Sequence, residues 1–193
     1  SQSNTGTFTN AVWAAAGDFT EGTSTLSMTG NGTITAPDNV EFYNLTIAAS
    51  KTTTLKSIPP NAADFRIVDN GTLTVNGTLT SSGVQEWVRF NGTGHNFVQG
   101  SGADVTGVYQ FRFYNSDTMQ FPKSTSSKLT VSTPRVMLTT NSTVQAEGDL
   151  TITTELQVAS GSTFNANGNT IHSAELDVNG GTLNITNSTL NFS

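Results

Sequence analysis

Leu150–Phe192 reads LTITTELQVASGSTFNANGNTIHSAELDVNGGTLNITNSTLNF, and this stretch decides the fold. Its apolar centres fall at Leu150/Ile152, Leu156/Val158, Phe164, Ile171, Leu176/Val178, Leu183/Ile185 and Leu190/Phe192, so one arrives about every seven residues. Around most centres apolar and polar residues alternate, which sets Leu, Val and Ile on one side of a strand and Thr or Asn on the other. Every third centre recurs after about twenty residues: Leu150 and Ile171, Leu156 and Leu176, Phe164 and Leu183, Ile171 and Leu190. That period predicts an all-β fold, a right-handed parallel β-helix or β-solenoid. Each coil of about twenty residues gives one short strand to each of three faces, and coils stack at about 4.8 Å.

The same grammar extends toward the N-terminus, in Thr72-Leu73-Thr74-Val75, Thr78-Leu79-Thr80 and Leu129-Thr130-Val131. No segment carries a helical period. Ala11–Ala16 is helix-permissive, and Gly17 ends it. Asn-Gly pairs begin at Asn31, Asn70, Asn76, Asn91, Asn167 and Asn179. Asn-Gly is also the strongest short hairpin signal, so Val75-Asn76-Gly77-Thr78-Leu79 fits an antiparallel β-sandwich, the alternative fold. Strands this short make poor hairpins, and a sandwich gives no reason for a twenty-residue recurrence. A longer repeat, about three coils or roughly 60 to 75 residues, links 27–34, 88–93 and 163–171, with Val40–Asn44 and Phe111–Asn115 following the first two.

The chain reads as one solenoid domain, 1–193. Residues 1–25 form an N-terminal cap and first strand, with Trp13 in the capping stretch Thr7–Phe19. Residues 86–121 form an irregular, aromatic-rich coil or insertion. At the other end the strand pattern runs into Leu190-Asn191-Phe192 without a cap. The last coil is therefore expected to meet another protein chain, a copy of itself, another domain or a removed segment.

Charged residues make up 11% of the chain, against about 25% in ordinary globular domains, so hydroxyls and amides do the solubilising. Net charge is −6, and the eight basic residues scatter from Lys51 to Arg135. Nucleic acid and anionic membrane surfaces both need clustered Lys and Arg and are not expected partners. There is no cysteine, so neither disulfides nor thiolate metal sites contribute. The longest apolar run, Ala11–Ala16, is too short to span a bilayer. No charged segment precedes it, so it does not read as a signal peptide.

Chemistry is sparse. Glycoside hydrolysis needs two carboxylates about one bond. Asp18/Glu21, Asp38/Glu41 and Asp64/Asp69 are close in sequence but occupy turn-like or edge positions. His95 and His172 lack ligand-spaced partners, no G-x-S-x-G elbow is present, and Asp69-Asn70-Gly71 lacks a calcium repeat around it. No catalytic residue, metal or cofactor is implied. Thr-x-Thr at Thr33, Thr72, Thr78 and Thr151 does not recur in every coil, so β-propensity explains it better than ice binding. Sequons at Asn31, Asn44, Asn70, Asn76, Asn91, Asn141, Asn184 and Asn187 only modestly exceed the five or so that chance gives.

Glu86–Phe121 stands apart. Trp87, Phe90, Phe97, Tyr109, Phe111, Phe113, Tyr114 and Phe121 interleave there with Arg89 and Arg112. Aromatics beside arginine suit recognition of glycans or proteins, which makes Trp87, Arg89, Tyr109, Arg112 and Tyr114 the candidate ligand-binding residues. The competing reading is a widened coil filled by rings, since Phe111 and Phe113 point the same way.

Gly17–Leu26, Gly30–Thr35 and Phe42–Ile47 resemble the opening of repeats in large secreted and cell-surface, adhesin-like parallel β-helix proteins, and repeats in phage tail-fibre-type structural proteins. The resemblance covers roughly the first 80 residues and recurs loosely afterwards. It implies scaffolding or adhesion in an extracellular, cell-surface or virion setting, and no functional residue carries over with it. The expected function is a non-catalytic structural or adhesive module. A virion component and a carbohydrate-active β-helix enzyme are the alternatives.

Overall fold

The computed structural model describes residues 5–8, 12–14, 22–36, 38–83, 86–105, 107–115, 118–121, 123–124 and 131–193. All regular structure among them is β, and the strands that pair along the sheets do so in parallel. The chain is a β-solenoid. A 12-stranded sheet runs its whole length, flanked by a 5-stranded sheet toward the N-terminus and a 4-stranded sheet toward the C-terminus. Ten strands lie on the main path of the large sheet, which at strand spacing makes a stack about 43 Å long.

The expected register is realised. Leu150 pairs with Ile171 and Leu156 with Leu176. Phe164 pairs with Leu183, and Ile171 with Leu190. The coil is not constant, however. Leu45 pairs with Leu73, Phe65 with Val88, Val88 with Phe111 and Phe111 with Val136. Coils through the middle are therefore longer than twenty residues.

Three faces recur. The first carries 40–42, 65–67, 88–90, 111–113, 136–138, 156–158 and 176–178. In the N-terminal half, the large sheet bends from this face onto the second through a register shift between Phe42 and Asn44. In the C-terminal half it bends from the third face onto the first, with shifts between Thr133 and Arg135 and between Ile152 and Glu155. Continuation through these corners makes the strands longer than the sequence pattern suggested, as in Ala63–Val75. The bend changes corner across 86–124.

The longer repeat is matched only in part, since 40–42 and 111–113 share the first face. Residues 88–93 leave the first face, whereas 27–34 and 163–171 bridge the second and third faces. Nor do the Asn-Gly pairs make hairpins. A type I′ turn needs positive φ at both central residues, and only Asn167-Gly168 has it (53° and 76°). The strands flanking these pairs join neighbouring coils instead.

The N-terminal strands Thr5–Phe8 and Val12–Ala14 extend the large and 5-stranded sheets. Of the expected cap and first strand, 1–4, 9–11 and 15–21 lie outside the described residues.

The core is a set of columns, one residue per coil. Val40, Phe65, Val88, Phe111, Val136 and Leu156 form one, and Phe42, Ile67, Phe90, Phe113, Leu138 and Val158 the next, all buried. Each such side chain contributes about 1.5–3 kcal/mol of transfer free energy. At the C-terminal end the columns come into the open: Val178, Ile185 and Phe192 are 40%, 44% and 60% exposed.

Candidate functional site: a charged and aromatic ladder on the first face

The rings of the middle coils divide by parity. Gln110–Tyr114 alternates so that Phe111 and Phe113 point inward and Arg112 outward, with Tyr114 exposed. In Glu86–Asn91, Val88 and Phe90 point inward, and Trp87, Arg89 and Asn91 outward. Inside, Phe90 stacks on Phe113 with centroids 5.4 Å apart, and Phe97 on Phe111 at 5.6 Å. Phe121 meets Phe111 and Phe113 edge-on at 5.0 and 5.1 Å. A floor of interlocked rings thus lies beneath the outward residues.

Outside, parallel register builds two columns. One runs Asp64, Trp87, Gln110, Arg135, Glu155, Glu175, and the other Glu41, Arg66, Arg89, Arg112, Met137, Gln157, Asp177. Asp64 is buried between two guanidiniums, 2.7 Å from Arg89 Nη2 and 3.4 Å from Arg66 Nη2. Arg66 also meets Glu41 at 3.1 Å. Two carboxylates therefore serve the first two arginines. Arg112, next in the column, has no carboxylate within ion-pairing distance among the described residues; it lies 4.3 Å from the centroid of the Trp87 ring. Such a cation–π contact contributes about 0.5–2 kcal/mol, more as water is excluded. Arg135, diagonally beyond, sits 3.9 Å from Glu155.

Burial lowers the pKa of Arg112 from the usual guanidinium value, the neighbouring Arg89 charge pushes the same way, and Asp64 opposes both. Three guanidinium Nε atoms (Arg66, Arg89, Arg112) and Trp87 Nε1 are buried donors without a partner, against one such acceptor, Asp64 Oδ1. The patch is thus richer in donors than in acceptors.

Of the candidate ligand-binding residues, Trp87, Arg89 and Arg112 come together. Tyr114 lies two residues along the same strand beside Asn91, and Tyr109 precedes that strand, half-buried. Sequence reasoning missed Glu41, Asp64 and Arg66. A signal was present: Arg66, Arg89 and Arg112 recur at a constant 23 residues, each two places after Asp64, Trp87 and Gln110.

The suspected catalytic pairs separate. Glu41 and Asp64 are spent on arginines, and Asp38 is exposed. Asp69 Oδ1 accepts the Thr93 backbone N–H at 2.7 Å, in a corner where Thr93 O also accepts the Asn70 N–H at 2.8 Å. Gly92 stands there at φ 111°, and an added Cβ would collide with the Asp69 carboxylate. Asp18 and Glu21 lie outside the described residues. His95 is buried behind the same corner, 5.9 Å from Phe90, and neither ring nitrogen has a hydrogen-bond partner. Burial lowers its pKa from 6.5. The nearby backbone of Asn91, Val68 and Gly92 and the Asp69 charge work the other way, without a contact that meets hydrogen-bond geometry. His172 is exposed.

A concavity of about 490 Å³ lies over the 4-stranded sheet and is lined by amides, among them Gln145, Asn165, Asn167 and Asn184. Glu147 Oε1 accepts hydrogen bonds from Gln120, Gln145 and Asn167 at its edge.

No family model matches the chain, and neither curated proteins nor solved structures show a match to it.

Proposed function

We propose that the chain is a non-catalytic, rigid β-scaffold on a cell or virion surface that adheres through its first face. The observation that carries this reading is Arg112, a guanidinium held against Trp87 on the first face, with no carboxylate within ion-pairing distance among the described residues. A site that presents charge and aromatic surface over an unyielding floor is suited to recognition. The non-catalytic part is supported by Glu41, Asp64 and Asp69, each already engaged in a structural contact. The surface setting rests on composition and on the resemblance to adhesin-like repeats.

Antibody labelling of intact source cells or particles tests the setting. Labelling without permeabilisation is expected, and labelling only after lysis would contradict it. Incubation with polysaccharides should leave their chain length unchanged; depolymerisation would favour the enzyme.

The open columns at Val178, Ile185 and Phe192 favour a second element of the reading. These exposed side chains suit contact with another protein chain or a copy of this one, as in a virion fibre. Phe192→Ser should then reduce self-association in sedimentation, and an unchanged monomeric wild type would count against copies as the partner.

A further inference from the structure

We propose that the patch formed by Arg112, Tyr114, Trp87 and Asn91 binds a carboxylate-bearing glycan, with the carboxylate on the Arg112 guanidinium and a sugar ring against Tyr114. This rests on the adhesive reading and narrows it to a ligand class.

The argument begins with charge. Three stacked guanidiniums share two carboxylates, and the one left over is partly desolvated, so its interaction with an anion is screened less than at an open surface. Arg112 and Tyr114 are two residues apart on one strand and so share a face, roughly 7 Å from each other. Tyr114 is 40% exposed, and a pyranose ring can lay its C–H face on the phenol while its carboxylate reaches the arginine. Asn91, beside Tyr114 in register, offers an amide to the hydroxyls.

A peptide partner fits less well. The strands of Glu86–Asn91 and Gln110–Tyr114 have parallel neighbours on both sides, so this face has no free edge at which an extended peptide could add a strand.

The test uses the full chain with four probes: polygalacturonate, its methyl ester, dextran and polyglutamate. Binding of polygalacturonate is expected, weakening with salt and falling about tenfold on methyl esterification, as a lost charge-assisted contact implies. Arg112→Gln should lose affinity by a similar factor and Tyr114→Ser should weaken binding, while urea unfolding midpoints show both variants folded. Three results would overturn the proposal: Arg112→Gln binding like wild type, polyglutamate binding as tightly as polygalacturonate, or no acidic glycan bound at all. Dextran binding that Arg112→Gln leaves intact would also overturn it while leaving glycan adhesion standing. Loss of surface labelling would instead strike the broader reading.

Discussion

Phe113→Ala should be among the most destabilising substitutions in the chain. Phe113 is fully buried, stacked on Phe90 at 5.4 Å and edge-on to Phe121 at 5.1 Å. Deleting the phenyl group forfeits about 2–3 kcal/mol of transfer free energy. The gap cannot collapse easily, because Phe90 and Phe121 are held by strands in register with their neighbours. A residual cavity therefore adds about 1–2 kcal/mol, for a total near 4 kcal/mol. With a urea m-value of about 2 kcal/mol/M the midpoint falls by about 2 M. Trp87 fluorescence reports it, since that ring lies in the adjoining coil. The control is one residue away: Tyr114→Ala, on the solvent side, should cost less than about 1 kcal/mol. A one-residue slip of the strand would exchange the two environments. Equal midpoints, or a larger loss for Tyr114→Ala, would refute the register of the first face.

Gly92→Ala places a Cβ on the Asp69 carboxylate at a φ that side chains avoid, so it should cost about 3 kcal/mol in the same unfolding assay. Stability should decline with acid through His95. Its folded pKa lies below the usual 6.5, so as pH falls through that value the unfolded chain takes up the proton first, and the loss grows until the folded pKa is passed. His95→Leu, which removes two buried nitrogens without partners, should flatten that part of the stability–pH curve; an unchanged slope would place the titration elsewhere.

The C-terminal coils were legible because each apolar centre is matched 19 to 21 residues later by another, with turns of nearly constant length between. Leu150, Ile171 and Leu190 align as their spacing requires. The middle coils were not, because corners there take up extra residues: one residue, Tyr43, on one coil faces 68–71 on the next. That insertion leaves the inward parity of Phe65, Phe90 and Phe113 intact but breaks the twenty-residue count. The arginine column, at 23 residues, was hidden for this reason. Composition did locate the aromatic region, and alternation separated its inner rings from its outer ones. Charge pairing could not be read, since Asp64 meets Arg89 only through the stacking of coils.

Stacking in parallel register is the claim on which the face, its columns and the proposed site all depend, and cysteine cross-linking tests it directly in a chain that has no cysteine. Gln157 and Asp177 are register partners with side chains in contact at 3.0 Å. Adjacent parallel strands bring their Cα atoms to about 5 Å, within disulfide range. Glu175 is two residues off register from Gln157, about 8 Å away and out of range. Under mild oxidation Gln157→Cys with Asp177→Cys should form an intramolecular disulfide in high yield, and Gln157→Cys with Glu175→Cys should not. Preferential bonding of the second pair, or of neither, would contradict the solenoid register.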